Sequence, residues 1–349
     1  MKIIHIVRRY GPVGGMERYV WELTLQLRDM GHAVTVLCQR CHMEKPAGIE
    51  VVELGEVAIR PRWIGSLRFS RRVSSWFTHH PRPDVLVHSN ERVNVQHVTT
   101  IHGPPFASVR EKPWWKRASI RVVMQSFLER RELRNARVII PNSQIIKQQL
   151  THYYPEYADK LTDPILPGVA AGAVREPRLV PKDGGVIGFV GHEWKRKGLP
   201  FAVEIVQQLR RTRPHLKFIV IGPEAAAIQH LFADWEDGYA LLGWSRQAHY
   251  AEFDVLLHPA LAEPYGMVIS EAMAARVPVV ISDVCGAAPQ VTGDAGAVLS
   301  LDAGVEVWAS ALEQQLARIN AVPKFVRSWR EVAGEYEIIY RNYFGEIKR

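Results

Sequence analysis

The sequence predicts an α/β protein made of two doubly wound parallel-sheet domains facing across a cleft, and three observations predict it. Short, largely apolar runs alternate with segments of helical period along the whole chain, beginning with the run at 2–7 and the series Val20, Leu23, Leu27, Met30. Strands apolar on both faces belong to parallel sheets covered by helices on both sides. The 349 residues exceed one ordinary core, and a second series of strands opens near Gly185 after a stretch rich in Pro, Gly and Ala at about 164–184. The expected domains are therefore 1–165 and 166–334, with a C-terminal helix over about 335–349 packing back on the first.

In the first domain the strand at 2–7 leads through a Gly/Pro turn into a helix that Gly31 ends, then a strand at 33–38. Strands follow at 84–88, 98–102 and 137–141, the last running into a helix that begins near Ser143. The second domain reads as a strand at 186–190, a helix at 199–211, and strands at 216–221, 239–242, 255–258, 279–282 and 297–299. Neither tandem repeats nor a low-complexity tract interrupts this order.

Composition narrows the setting. No apolar run approaches the roughly 18 to 20 residues that cross a bilayer, and the first residues read as a strand leading to arginines and glycines, unlike a signal peptide. A cytoplasmic protein is expected. Three cysteines, Cys38, Cys41 and Cys285, are too few for a disulfide scaffold. Residues 38–42 spell the c-type haem attachment pattern, yet that chemistry accompanies export, so chance placement at the end of a strand is the simpler reading. Residues 1–165 hold 25 Lys+Arg against 15 Asp+Glu, and the remainder 19 against 21, so the net charge of +8 gathers in the first half. That field suits an anionic partner, such as a membrane surface or a phosphorylated acceptor. No recognised nucleic-acid motif accompanies it, and no nucleic-acid partner is expected.

Ligands of open parallel sheets bind beyond the carboxyl ends of the strands. Four segments fall there. Gly14 and Gly15 sit between the first strand and its helix, where a bare backbone and unsatisfied N–H groups can approach a phosphate or sugar oxygen; a tight turn without ligand is the competing reading. Arg196 and Lys197 follow the first strand of the second domain and can neutralise a diphosphate leaving group. Glu263 lies on a loop broken by Pro264 and Gly266, with Glu271 on the helix that follows. Each carboxylate can accept from adjacent hydroxyls, and the amides around Gly266, Met267 and Val268 can face an anion. His102 ends a strand beside Gly103, well placed for a cleft, although a lone histidine is more often structural.

Taken in order, the Gly14-Gly15 turn, the 101–103 segment, the KRKG loop and the EPYGMVISE segment resemble retaining glycosyltransferases of family 4, whose GT-B fold pairs two Rossmann-like domains. The flanks, HPALAEPYGMVISEAM and PVGGMER, are similar to the lipopolysaccharide core α-1,3-glucosyltransferases. The resemblance implies that Arg196 and Lys197 hold the donor diphosphate, Glu271 the ribose and Glu263 the sugar ring. It places Gly14 and Gly15 at the donor phosphate or sugar, His102 near the reacting sugar, and Gly243 and Trp244 at the base. It implies front-face transfer with retention, without a metal or cofactor, the nucleotide sugar being a substrate and UDP-glucose the first choice. This chain departs from the family in having His192 after Gly191, where many members have Arg. The implied acceptor is a glycolipid or oligosaccharide such as lipopolysaccharide core. An isomerase of the UDP-sugar 2-epimerase type is the alternative.

Trp114, Trp115, Lys116 and Arg117, followed by Ile120, Val122, Val123, Met124, Phe127 and Leu128, read as one long basic amphipathic helix. Tryptophans beside cations suit a bilayer interface, which would make the protein peripheral on the inner face of the cytoplasmic membrane; packing in the core is the competing reading.

Overall fold

The structure is a computed structural model that describes every residue except 58, 59, 112, 118, 171, 246–248, 348 and 349, and the side chains of all of these but 116, 117 and 344–347. The chain divides into unit 1, Met1–Gly168 with Arg327–Arg349, and unit 2, Val169–Val326. The division after Gly168 lies three residues beyond the expected boundary at 165, and the return to unit 1 at Arg327 precedes the expected helix start at 335.

Unit 1 runs β1 (Lys2–Ile6), β2 (Arg9–Tyr10), α1 (Gly15–Asp29), β3 (Ala33–Cys38), β4 (Arg40–Cys41), β5 (Ile49–Glu53), α2 (Arg62–His79), β6 (Leu86–Ser89), β7 (Val98–Ile101), α3 (Trp114–Arg117), α4 (Ile120–Asn135), β8 (Val138–Pro141) and α5 (Gln144–Tyr153). Unit 2 supplies β9 (Gly184–Val190), α6 (Leu199–Arg210), β10 (His215–Ile221), α7 (Ala225–Ile228), β11 (Tyr239–Leu241), β12 (Val255–His258), α8 (Met267–Ala274), β13 (Val279–Ser282), β14 (Gly296–Leu299) and α9 (Val305–Leu316). The chain then returns to unit 1 as α10 (Trp329–Ile347).

Each unit has a six-stranded sheet with every pairing parallel, ordered β5-β3-β1-β6-β7-β8 and β11-β10-β9-β12-β13-β14. The apolar strands are apolar because both faces are covered. Ile4 and Ile6 of β1 pack under Phe69 and Val73 of α2, and Phe189 and Leu257 share a core with Trp308 of α9. In both units the direction of winding reverses at the centre, between β1 and β6 and between β9 and β12. Loops leaving adjacent strands diverge there and open a crevice at the carboxyl edge.

Helix α10 is integral to unit 1. Its Tyr336 and Tyr340 are fully buried, Tyr19 of α1 donates to the Tyr336 hydroxyl (2.9 Å), and the Tyr340 hydroxyl lies 2.6 Å from Nδ1 of His88. Two histidines, His5 and His88, lie in this core with ring centroids 4.6 Å apart and planes tilted at 52°. Burial pulls the first down to about 3 and the second well below its ordinary value, so both are neutral.

The strands expected at 33–38, 255–258 and 279–282 occupy those residues, whereas the one expected at 84–88 is Leu86–Ser89. Strand β5, helices α2 and α9, and the small β2–β4 pair were not foreseen. One expectation is corrected. The segment from Trp114 is no single long helix: α3 ends at Arg117, and Ser119 adopts an extended backbone and caps α4 by accepting from the N–H of Val122 (3.3 Å). What survives of the amphipathic reading is a stripe on α4. Ile120, Val123 and Phe127, spaced three and four apart, are exposed along with Trp114 and Trp115, while Leu128 is buried. The side chains of Lys116 and Arg117 lie outside the described residues.

Cys38 is fully buried at the end of β3, with its thiol pushed up to about 12 by burial, which removes it from any attachment chemistry.

Candidate functional site

At the switch point of unit 2, the loop after β9 meets the loop after β12. Leu261 donates its N–H to the Arg196 carbonyl (2.8 Å), which ties the two loops together. A third loop, after β13, buttresses the second: Gly286 N–H donates to the Glu263 carbonyl (2.9 Å), and the Ser282 hydroxyl donates to the carbonyl of Ala260 (2.6 Å). The KRKG loop can lie this close only because it ends in glycine. Gly198 sits at φ +76° as the residue before α6, and a Cβ there would overlap the carbonyl oxygen of Pro259.

This scaffold gathers a buried charged cluster. Lys197 Nζ donates to Glu263 Oε2 (2.7 Å), His258 Nε2 lies 3.3 Å from the same oxygen, and Arg196 Nη1 lies 3.5 Å from it. Arg196 also donates to Glu193 Oε2 (2.7 Å) and to the carbonyl of Ala262. Burial would raise the Glu263 pKa, but the hydrogen bond from His258 and the charges of Lys197 and Arg196 outweigh it and hold the carboxyl well below the usual carboxylate range. His258 is fully buried and neutral, its pKa lowered by burial and by the neighbouring Lys197. The carboxylate therefore stays ionised, with one oxygen carrying all three contacts. Such a cluster can hold an anion against Lys197 and Arg196, and its ionised carboxylate can accept from hydroxyls but has no proton of its own to give.

Around it lie the other expected residues of unit 2. Gly266, at φ +95°, precedes α8, and the N–H groups of Met267 and Val268 stand in the first turn ahead of the intrahelical ladder. Glu271, on the next turn, accepts from the Tyr250 hydroxyl (2.6 Å). Gly243, at φ +66°, follows β11; its carbonyl accepts from the N–H of Gly222 (2.7 Å), and Trp244 beside it is exposed. His192, which stands where many family members have Arg, lies with Nδ1 3.3 Å from the Gly222 carbonyl and braces that turn.

The remaining expected residues belong to unit 1. Gly14 precedes α1, and a Cβ on it would overlap the Glu17 carboxylate, which pairs with Arg9 (2.5 Å); that glycine thus has an internal reason. Gly15 faces open space, with nothing within 4 Å of where its Cβ would be. His102 follows β7 with Nε2 2.8 Å from Asn90 Oδ1, and burial pulls it down to about 3. The structure thus brings Arg196, Lys197 and Glu263 together, sets Glu271, Met267, Val268, Gly243 and Trp244 on neighbouring loops of the same sheet edge, and leaves His102, Gly14 and Gly15 in the other unit. His258, Tyr250, Glu193 and Asn90 were missed. For His258 a signal existed, a histidine closing an apolar strand directly before proline, five residues ahead of Glu263. For Tyr250 and Asn90 none did, since their partners lie 21 and 12 residues away.

Residues 184–318 match the family described as glycosyl transferases group 1, and residues 13–172 match glycosyltransferase family 4. The chain is 26% identical to a D-inositol 3-phosphate glycosyltransferase of Kineococcus radiotolerans, over 88% of this chain and 83% of that one. It is 25% identical to a glycogen synthase of Mycobacterium tuberculosis, over 95% and 90%. Among solved structures it is similar to sucrose-phosphate synthase from Thermosynechococcus elongatus, with a TM-score of 0.79, 18% identity and 99% of each chain covered. It is also similar to WaaG, a glycosyltransferase involved in lipopolysaccharide biosynthesis, with a TM-score of 0.76, 18% identity and coverage of 96% and 94%. HepE of Anabaena, in complex with UDP-glucose, gives 0.70, 17%, and 98% and 100%. With two wholly parallel sheets, these likenesses establish the fold as GT-B.

Proposed function

We propose that this chain, a glycosyltransferase of the GT-B type, moves a hexose from a nucleotide diphosphate sugar to an acceptor on a membrane-associated glycolipid, with retention at the anomeric carbon. UDP-glucose is the favoured donor, in keeping with the complex of HepE, and a lipopolysaccharide core the favoured acceptor, in keeping with WaaG. The observation that carries the reading is the convergence of Lys197 and Arg196 on the ionised Glu263 at the switch point of unit 2.

In this reading the diphosphate takes Lys197, Arg196 and the first amides of α8 as its donors, so the charge that builds as the sugar leaves meets cations already in place. Glu263 accepts from ring hydroxyls and Glu271 from the ribose, while Gly243 and Trp244 border the base. The resemblance gives His102 and the Gly14-Gly15 turn of unit 1 roles toward sugar and phosphate oxygens. The anomeric carbon exchanges its bond to phosphate oxygen for one to the acceptor oxygen on the same face, and the acceptor proton passes to the departing phosphate. The two cations do the work of a metal, and none is required.

Incubation with UDP-glucose and deacylated lipopolysaccharide core, followed by NMR, tests this. An α-linked product formed at an unchanged rate in EDTA is expected. A β-linked product overturns retention, strict metal dependence overturns the cationic leaving-group clamp, and conversion of the donor without acceptor overturns transfer.

The exposed Trp114, Trp115, Ile120, Val123 and Phe127 fit the same reading as a membrane-facing surface beside the basic field of the N-terminal half. No helix among the described residues is long and apolar enough to cross a membrane, so contact would be at the interface. Co-sedimentation with vesicles containing phosphatidylglycerol is expected to fall at least fivefold for a variant with Ser at Trp114, Trp115, Ile120 and Phe127. Equal sedimentation with wild type rules the surface out.

A further inference from the structure

Unit 1 has its own crevice at the switch point between β1 and β6, a cavity of about 330 Å3 walled by Arg8, Asn90, Glu91 and His102 among others. Within it the Nε2 of His102 meets Oδ1 of Asn90 at 2.8 Å. An amide oxygen only accepts, so the ring donates through Nε2, and its Nδ1 is left with a bare lone pair that no described residue engages. Asn90 is 5% exposed, and its Nδ2 has no acceptor among the described residues. The pair thus leaves one unused acceptor at the cavity, the bare Nδ1 of His102, which suits a hydroxyl group as its donor.

We propose that Asn90 is a positioning residue that locks His102 in the tautomer with Nδ1 free to accept from a sugar hydroxyl bound in this cavity. The inference rests on the reading that His102 borders the reacting sugar. Other features of the fold serve the lock. The ring of Tyr19 stands edge-on to His102 at 4.9 Å and is itself held by the Tyr336 hydroxyl, so α10 fixes the plane of the imidazole from behind. Burial keeps the ring neutral, so the lone pair on Nδ1 persists through the working pH range. The titratable groups facing His102 are His88 and Tyr19, both neutral. Across the cavity stand Arg8 paired with Glu91, Arg92 paired with Glu129, the buried Glu132, and Arg62 and Arg121. Arg8 and Arg92 are thus offset by their carboxylate partners, and Asn90, bonded to the ring itself, decides the tautomer.

Nitrogen-15 NMR of the full chain, with His102 assigned by comparison with His102→Gln, reads the tautomer directly. Wild type is expected to show Nε2 protonated and Nδ1 bare, and Asn90→Ala a mixture of the two forms with kcat lowered at least tenfold. Asn90→Asp keeps the acceptor but adds a charge that stabilises the imidazolium. Its midpoint of protonation should rise by more than two pH units, and its kcat profile should gain an ascending limb absent from wild type. A wild-type ring protonated on Nδ1, or an Asn90→Asp profile that superimposes on wild type, overturns the proposal. If instead His102→Gln turns over at the wild-type rate, the placement of His102 at the sugar is wrong, while the NMR result still reports the tautomer.

Discussion

Lys197→Ala is expected to lower kcat/KM about a hundredfold with circular dichroism and Tm close to wild type. The ammonium is nearly buried, hydrogen-bonded to Glu263 at 2.7 Å, and set where a leaving diphosphate accumulates charge. Removing one such preorganised donor costs on the order of 3 kcal/mol of transition-state stabilisation. Since that charge is greater in the transition state than in the bound donor, most of the loss should fall on kcat. The fold survives because Glu263 keeps His258 and Arg196 as partners. Glu263→Ala should be comparably slow for a different reason, the loss of the acceptor for the sugar, and the double variant should be far less than additive because the two side chains act as one unit. A folded Lys197→Ala protein working at the wild-type rate would remove this cluster from the reaction.

Gly198→Ala is expected to damage the fold itself. A methyl group there would overlap the carbonyl oxygen of Pro259 and stand 2.8 Å from its carbonyl carbon, backbone atoms of the β12 loop that cannot swing aside. The left-handed backbone at φ +76° adds about 1–2 kcal/mol for a residue with a Cβ, and overpacking of this kind adds about 1–3 kcal/mol. Unit 2 should lose about 2 to 5 kcal/mol, or about 4 to 20 °C in Tm at roughly 2–4 °C per kcal/mol. Gly191→Ala makes the instructive contrast. Its Cβ would overlap the stem of Lys197, a flexible side chain that can move, while the backbone at φ +154° strains any residue with a Cβ, so the variant should displace the ammonium and weaken nucleotide binding in addition to lowering Tm. Scanning calorimetry with and without UDP separates the two outcomes. An unchanged Tm in Gly198→Ala would mean that the loop is not pinned against Pro259.

Much of this was legible beforehand because it is written in local pattern. The buried strands are continuous apolar runs, the glycines at 198 and 266 stand where the chain must turn left-handed, and Arg196, Lys197 and Glu263 are polar residues at strand ends, where side chains are otherwise free to be apolar. The basic segment from Trp114 misled because charge and hydropathy continue straight through it, whereas α4 starts afresh at a cap that the hydroxyl of Ser119 offers the backbone.

The order of residues along the chain determined the strands, the turns and which groups could reach a sheet edge, since periodicity and backbone strain act within a few neighbours. Only the folded molecule decided that Asn90 would choose the tautomer of His102, and that Tyr336, more than 300 residues from Tyr19, would brace it. Those choices belong to contacts between distant segments. No local pattern carries them, because each partner has many acceptable neighbours until the packing of the sheets leaves one.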